Sequence, residues 1–150
     1  MKIAILNGPN LNLLGKREPE VYGSLTLDEI EKRTQKKVES LLDGKEKLDC
    51  EWFQTNSEQE LIEKIHQVFL DQENFKGIII NPGAFTHSSV AIYDALKMVK
   101  IPVVEAHLSN TYKREEIRKN KVTTPASTIL IEGAGPSVYL QGILSLIYQI

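Results

Sequence analysis

Residues 77–84 read Gly-Ile-Ile-Ile-Asn-Pro-Gly-Ala. Three successive isoleucines leave neither face of a strand polar, the pattern of a strand covered by helices on both sides. Asn81-Pro82-Gly83 then closes the run with turn-forming residues. Such a strand calls for parallel neighbours joined through helices, and the flanking sequence supplies them. Ile3–Leu6 ends in Asn7-Gly8-Pro9-Asn10, a second strand lies around Asp49–Gln54, a fourth at Val103–Ala106 and a fifth at Thr128–Glu132. Between them Thr26 and Glu29 form a capping box for a helix carrying Leu27, Ile30, Val38, Leu41 and Leu42, ended by Gly44. Ser57 and Glu60 form another, before Leu61, Ile62, Ile65, Val68 and Phe69. Further helices are expected at about Ser88–Val99, Thr111–Lys119 and Ser137–Tyr148. Strict alternation of β and α elements implies right-handed crossovers and a parallel sheet. The expected fold is α/β, a flavodoxin-like doubly wound five-stranded parallel sheet with strand order 2-1-3-4-5.

Composition narrows the class. The chain has 150 residues, 41% hydrophobic and 25% charged, ordinary for a folded domain. No repeat, low-complexity tract or linker is evident, so residues 1–150 are read as a single catalytic domain. A net charge of −2 gives no basic footprint for nucleic acid. Lys113, Arg114, Arg118, Lys119 and Lys121 do cluster, either as a local basic patch or as a solvated helix face. The lone Cys50 excludes an internal disulfide, fits a reducing compartment and reads as a structural thiol. The first six residues turn polar at Asn7, too soon for a signal peptide, and no apolar run reaches membrane-spanning length. The expected setting is cytoplasmic, with no membrane partner.

In a doubly wound sheet, ligands bind outside the carboxyl ends of the strands near the topological switch. The first strand ends at Asn7 and Asn10, the third at Asn81 and His87, the fourth at Glu105, His107, Ser109 and Asn110. These strands would be neighbours, so two of the three histidines would share one rim. The third, His66, sits near the apolar stripe of its helix and reads as a partly buried structural residue. Trp52 reads as core or interface, and Asn7 as a possible turn cap.

No GxGxxG follows the first strand, and the chain lacks a phosphate-loop lysine pattern, HExxH and zinc-spaced cysteines. Acid/base chemistry on a small polar molecule, without metal or cofactor, is the class left. GKREPEVYGSLTL, residues 15–27, leaves the same rim and spans about a dozen residues before the first helix. It reads either as a mobile surface loop or as a lid. As a lid it would set Arg17 beside Tyr22, and a nearby cation lowers a phenol's pKa from about 10, favouring a phenolate base.

NGPNLNLLGKREPEVYGSLTL (7–27), FQTN (53–56), ELIEKIH (60–66), NPGAFTHSSVAIYDAL (81–96) and VVEAHLSNTYKREEIR (103–118) together resemble the type II 3-dehydroquinate dehydratases, in that family's order. The resemblance implies dehydration of 3-dehydroquinate to 3-dehydroshikimate through an enolate, without metal or organic cofactor, by a homo-oligomer, a dodecamer of trimers. It implies Tyr22 as base, with Arg17 lowering its pKa, and Asn10 holding the water that stabilises the enolate oxygen. His107, oriented by Glu105, is the implied acid for the departing hydroxyl. Asn81 with the backbone amides of Leu108 and Ser109 would bind the carboxylate. His87 and Arg118 would grip ring hydroxyls, and Asp94 would come from a neighbouring subunit. Arg114 is assigned local support only. Ser57, Gln59, Tyr93, Lys119 and Val138 depart from the family's usual residues, the first three bearing on subunit contacts. Two other readings are a flavodoxin-like module that binds an anionic metabolite without turnover, and an assembly that has lost activity.

Overall fold

The computed structural model describes residues 2–43 and 48–148, the Pro19 side chain excepted. The strands are β1 (Lys2–Asn7), β2 (Asp49–Gln54), β3 (Phe75–Asn81), β4 (Val103–His107) and β5 (Ile129–Glu132). They form one parallel sheet in the order β2-β1-β3-β4-β5, as expected. The helices are a single turn α1 (Pro19–Tyr22), then α2 (Leu27–Leu42), α3 (Glu58–Leu70), α4 (Val90–Met98) and α5 (Ser137–Ile147).

Alternating side chains of the central strands feed two separate cores. Ile3, Ile5, Ile79, Val104 and Ala106 join α2 and α5 on one face. Ala4, Leu6, Ile78, Ile80 and Val103 join α3 and α4 on the other. This two-sided burial is the reason the Ile78–Ile80 run carries no polar residue.

Thr26 and Glu29 close the expected capping box. Ser57 caps α3 by accepting from the Glu60 amide, but the reciprocal half is absent because the Glu60 carboxylate accepts from the Thr55 hydroxyl instead. The expected stop at Gly44 lies outside the described residues; Asp43 in the left-handed conformation is the C-cap of α2.

The Thr111–Lys119 helix is not there. Two 3₁₀ turns, Thr111–Lys113 and Glu116–Lys119, flank an extended Arg114. The Asn110 side chain caps the first turn at the Tyr112 amide, and the Arg114 side chain turns inward rather than along a helix face. The basic cluster divides: the side chains of Arg114, Arg118 and Lys121 are largely covered, while Lys113 and Lys119 face solvent. His66 is exposed, not partly buried as its position near the apolar stripe suggested. Trp52 stacks obliquely on Tyr139, ring centroids 5.0 Å apart, in keeping with a core role. Burial, with Asp49 and Glu31 nearby, pushes the Cys50 thiol up to about 11, an unreactive structural thiol.

The register brings the polar strand ends into line. Asn7 pairs with Gln54 on one side and with Asn81 on the other. Gly8 follows, its amide donating to the Asn81 carbonyl at 2.8 Å. A Cβ there would lie 2.4 Å from the Pro82 carbonyl oxygen, so only glycine lets the two strand ends meet.

Candidate active site

A cavity opens at the carboxyl ends of β1, β3 and β4. Nine of the eleven residues singled out from the sequence line it: Asn10, Arg17, Tyr22, Asn81, His87, His107, Leu108, Ser109 and Arg118. Glu105 lies beneath it. Asp94 lies on the exposed side of α4, outside the cavity of its own chain.

Glu105 is fully buried and still well solvated by protein groups. Its Oε1 accepts from His107 Nε2 at 2.8 Å, Thr86 at 2.8 Å and Thr124 at 2.7 Å, and Thr123 approaches Oε2 at 2.8 Å. Burial is the largest single influence and opposes ionisation. The His107 bond and charge, together with the threonine hydroxyls, outweigh it and hold the carboxyl below the ordinary carboxylate range. A carboxylate only accepts, so His107 carries its proton on Nε2 toward Glu105, leaving Nδ1 as the nitrogen that can exchange one. The sequence pointed to Glu105 but not to its three threonines, which come from two separate segments.

The segment between β1 and α2 is more structured than a lid of a dozen irregular residues. It contains a 3₁₀ turn at Leu11–Leu13 and the helical turn α1, which aims the Tyr22 side chain into the cavity. The expected Arg17 lies 3.4 Å from the Tyr22 hydroxyl through Nη2, the same nitrogen that pairs with Glu18 at 2.9 Å. Arg114 comes closer: its Nη1 donates to the Tyr22 oxygen at 2.6 Å. Both guanidiniums also sit over the phenol ring, 4.8 and 5.4 Å from its centroid. Local support therefore understates Arg114, which reaches the hydroxyl from a segment distant in sequence.

Two asparagines are fixed from below. The Tyr139 hydroxyl donates to Asn7 Oδ1 at 2.6 Å and accepts from Asn81 Nδ2 at 3.3 Å, while Asn81 Oδ1 accepts from the Gly83 amide. Burial pushes the Tyr139 pKa up, so it remains a phenol and a donor. Asn7 is thus part of a buried network rather than a simple turn cap. Neither Tyr139 nor this chain of amides was visible in the sequence, since a tyrosine on an apolar helix face gives no signal. Asn10 takes a left-handed conformation (φ 68°), secured by its amide donating to Asn56 Oδ1 at 2.9 Å. His87 donates from Nδ1 to the Asn120 carbonyl at 2.6 Å, which leaves Nε2 for a ligand. Among the described residues no group of His, Cys, Asp and Glu is placed to hold a metal ion, and no helix is long and apolar enough to cross a membrane.

The class II dehydroquinase family model matches residues 1–147. The 3-dehydroquinate dehydratase of Carboxydothermus hydrogenoformans is 48% identical over 147 residues, covering 98% of this chain and 90% of that protein. The Clostridium botulinum 3-dehydroquinate dehydratase is 45% identical over 141 residues, covering 94% and 90%. The crystal structure of the type II dehydroquinase from Butyrivibrio crossotus superposes with a TM-score of 0.90 at 38% identity, covering 98% of this chain and 97% of that one. With the five-stranded order, the rim cavity and a family match over nearly its whole length, this chain belongs to the class II dehydroquinases.

Proposed function

We propose that the chain dehydrates 3-dehydroquinate to 3-dehydroshikimate, a hydro-lyase step of the shikimate pathway. The observation that carries the mechanism is a tyrosine hydroxyl held by two guanidiniums, in the same cavity as a histidine backed by a buried carboxylate. Tyr22 acts as a phenolate and removes the proton beside the ketone. The negative charge on its oxygen faces Arg114 and Arg17, and the enolate that forms is met by a water held at Asn10. The C1–oxygen bond then breaks, and His107 gives its proton to the leaving hydroxyl, which departs as water. Glu105 stabilises the imidazolium before that transfer. Asn81 and the Leu108 and Ser109 amides hold the carboxylate, while His87 and Arg118 hold ring hydroxyls.

These roles require only acid and base groups, so the reaction is taken as cofactor-free. A module that only binds a metabolite has no use for a phenol between two arginines. The exposed Asp94 on α4 fits a residue lent to a neighbouring copy, in an oligomer assigned here as a dodecamer of trimers; residues 1–150 form one catalytic domain working in the cytoplasm. The test is to add 3-dehydroquinate to metal-free protein and follow the absorbance of the conjugated enone product. Folded protein that gives no rise refutes the activity. Tyr22→Phe should lose orders of magnitude in kcat while still binding substrate, and a nearly unchanged kcat removes Tyr22 as the base.

A further inference from the structure

We propose that Glu132, at the carboxyl end of β5, is a positioning residue that clamps both ends of the arginine-bearing segment 111–121 and so sets Arg114 against Tyr22. The inference rests on the reading of Tyr22 as the base. Two groups converge on one oxygen of Glu132: the Thr111 hydroxyl donates to Oε2 at 2.9 Å, and Lys121 Nζ lies 3.0 Å from the same atom. Thr111 opens the segment and Lys121 closes it. The lysine side chain is only 4% exposed and the glutamate 14%. The Lys121 contact is an ionic approach without the alignment of a directed hydrogen bond. On its other side, the ammonium lies 4.3 Å from the centre of the Tyr112 ring.

A covered ion pair one hydrogen bond from the cavity-lining Thr111 is a poor device for stability alone, since desolvation offsets much of its attraction. Its value here lies in what it holds. From Tyr112 to Lys119 the described hydrogen bonds and ion pairs are all local, except that of Arg114 to Tyr22. The segment has no continuous helix to stiffen it, so where Arg114 points depends on where the ends are fixed. Glu132 is a rigid post for this purpose. It pairs with His107 in the sheet register, and the next amide, Gly133, donates to the His107 carbonyl at 3.1 Å. The clamp thereby ties the arginine at the base to the strand that carries the acid.

The test compares kcat with 3-dehydroquinate for Glu132→Gln, Arg114→Met, the two combined, and the charge-swapped pair Lys121→Glu/Glu132→Lys. Displacing a group at the reacting atom by about an ångström costs about a hundredfold, so Glu132→Gln should lower kcat by about that factor or to the level of Arg114→Met. Combined with Arg114→Met it should lower kcat no further, because its effect is exerted through that arginine. The swapped pair should recover to within about tenfold of the parent, since the Thr111 hydroxyl can accept from a lysine as well as donate to a glutamate. A purely structural role would lower thermal stability yet multiply with Arg114→Met. A folded Glu132→Gln protein with parental kcat, multiplying losses, or a folded swap no better than Glu132→Gln overturns the clamp. Should Glu132→Gln fail to fold with Lys121 left unpaired, Lys121→Met/Glu132→Leu takes its place in the same comparison. Arg114→Met with parental kcat would also overturn the clamp, since Arg17 alone would then serve the phenol, whereas failure of the underlying reading of Tyr22 shows separately as a nearly unchanged kcat in Tyr22→Phe.

Discussion

Glu105→Gln separates the charge of the buried carboxylate from its hydrogen bonds. Oε1 faces three donors, whereas Oε2 faces only Thr123, whose hydroxyl also lies 2.9 Å from Thr86. A hydroxyl has one proton, so Thr123 can swing it to Thr86 and accept from a glutamine amide. The four existing donors then keep an acceptor; the losses are the charge and a partner for one of the two glutamine amide hydrogens. Hydrogen bonds to charged groups contribute about 1.5–3 kcal/mol against about 1 for neutral ones; relief of the buried charge's desolvation offsets much of that difference, and with the unpaired amide hydrogen the stability cost should be about 1–3 kcal/mol. Glu105→Ala orphans the three donors facing Oε1. At about 1–3 kcal/mol each, that removes much of a typical stability of about 5–15 kcal/mol. For the reaction, two unit charges 2.8 Å apart attract by about 6 kcal/mol at an effective dielectric of about 20. Desolvation offsets part of this, and a remaining 3–4 kcal/mol or so predicts a fall in kcat of about 10²–10³. The pH dependence has a fixed sign. The folded carboxyl titrates below its ordinary value, so its stabilisation is complete above about pH 4.5 and is lost as pH falls through the folded value. The Tm gap between parent and Glu105→Gln should therefore narrow between neutral pH and about pH 3.5. Calorimetry at both pH values and the enone absorbance assay measure the two effects. A glutamine variant with parental kcat, or one as unstable as Glu105→Ala, refutes the division of labour between charge and hydrogen bonds.

Arg114→Met should cost more kcat than Arg17→Met, because Arg114 is nearer the Tyr22 oxygen and Glu18 already draws on Arg17. Losing one charge-assisted bond predicts about a ten- to hundredfold fall, and the opposite ranking in steady-state assays would return the leading role to Arg17. Tyr139→Phe strips Asn7 Oδ1 and Asn81 Nδ2 of their shared hydroxyl. KM should rise about tenfold with kcat nearly unchanged, as expected when a substrate-binding amide is freed to turn; a kcat loss without a KM change would count against it. Gly8→Ala sets a methyl 2.4 Å from the Pro82 carbonyl oxygen. A loss of about 1–3 kcal/mol in denaturant unfolding is expected, and parental stability would show that the β1 and β3 ends can part freely.

Period and punctuation carried the sheet, because buried parallel strands impose a pattern on consecutive residues. Ile78–Ile80 must serve two cores at once, and Asn7, Asn81 and His107 fall at the rim because polar residues end each strand there. Side chains that meet across the fold left a different record. Arg17 was legible as a neighbour of Tyr22 because five residues separate them, whereas Arg114 reaches the same oxygen across 92. Its segment had the charge spacing of a helix, and charge spacing alone could not tell a helix from two 3₁₀ turns around an extended arginine. The Asn110 cap and the contact at Tyr22 decide between them, and the second depends on a partner 92 residues away. Lys121 and Glu132 show the same dependence. Each reads as an ordinary surface charge until strand order brings β5 beside β4, and only then do they become the two halves of one fixed point. In this chain the local pattern specifies the rim, and the rim in turn selects which distant charges can act on the phenol.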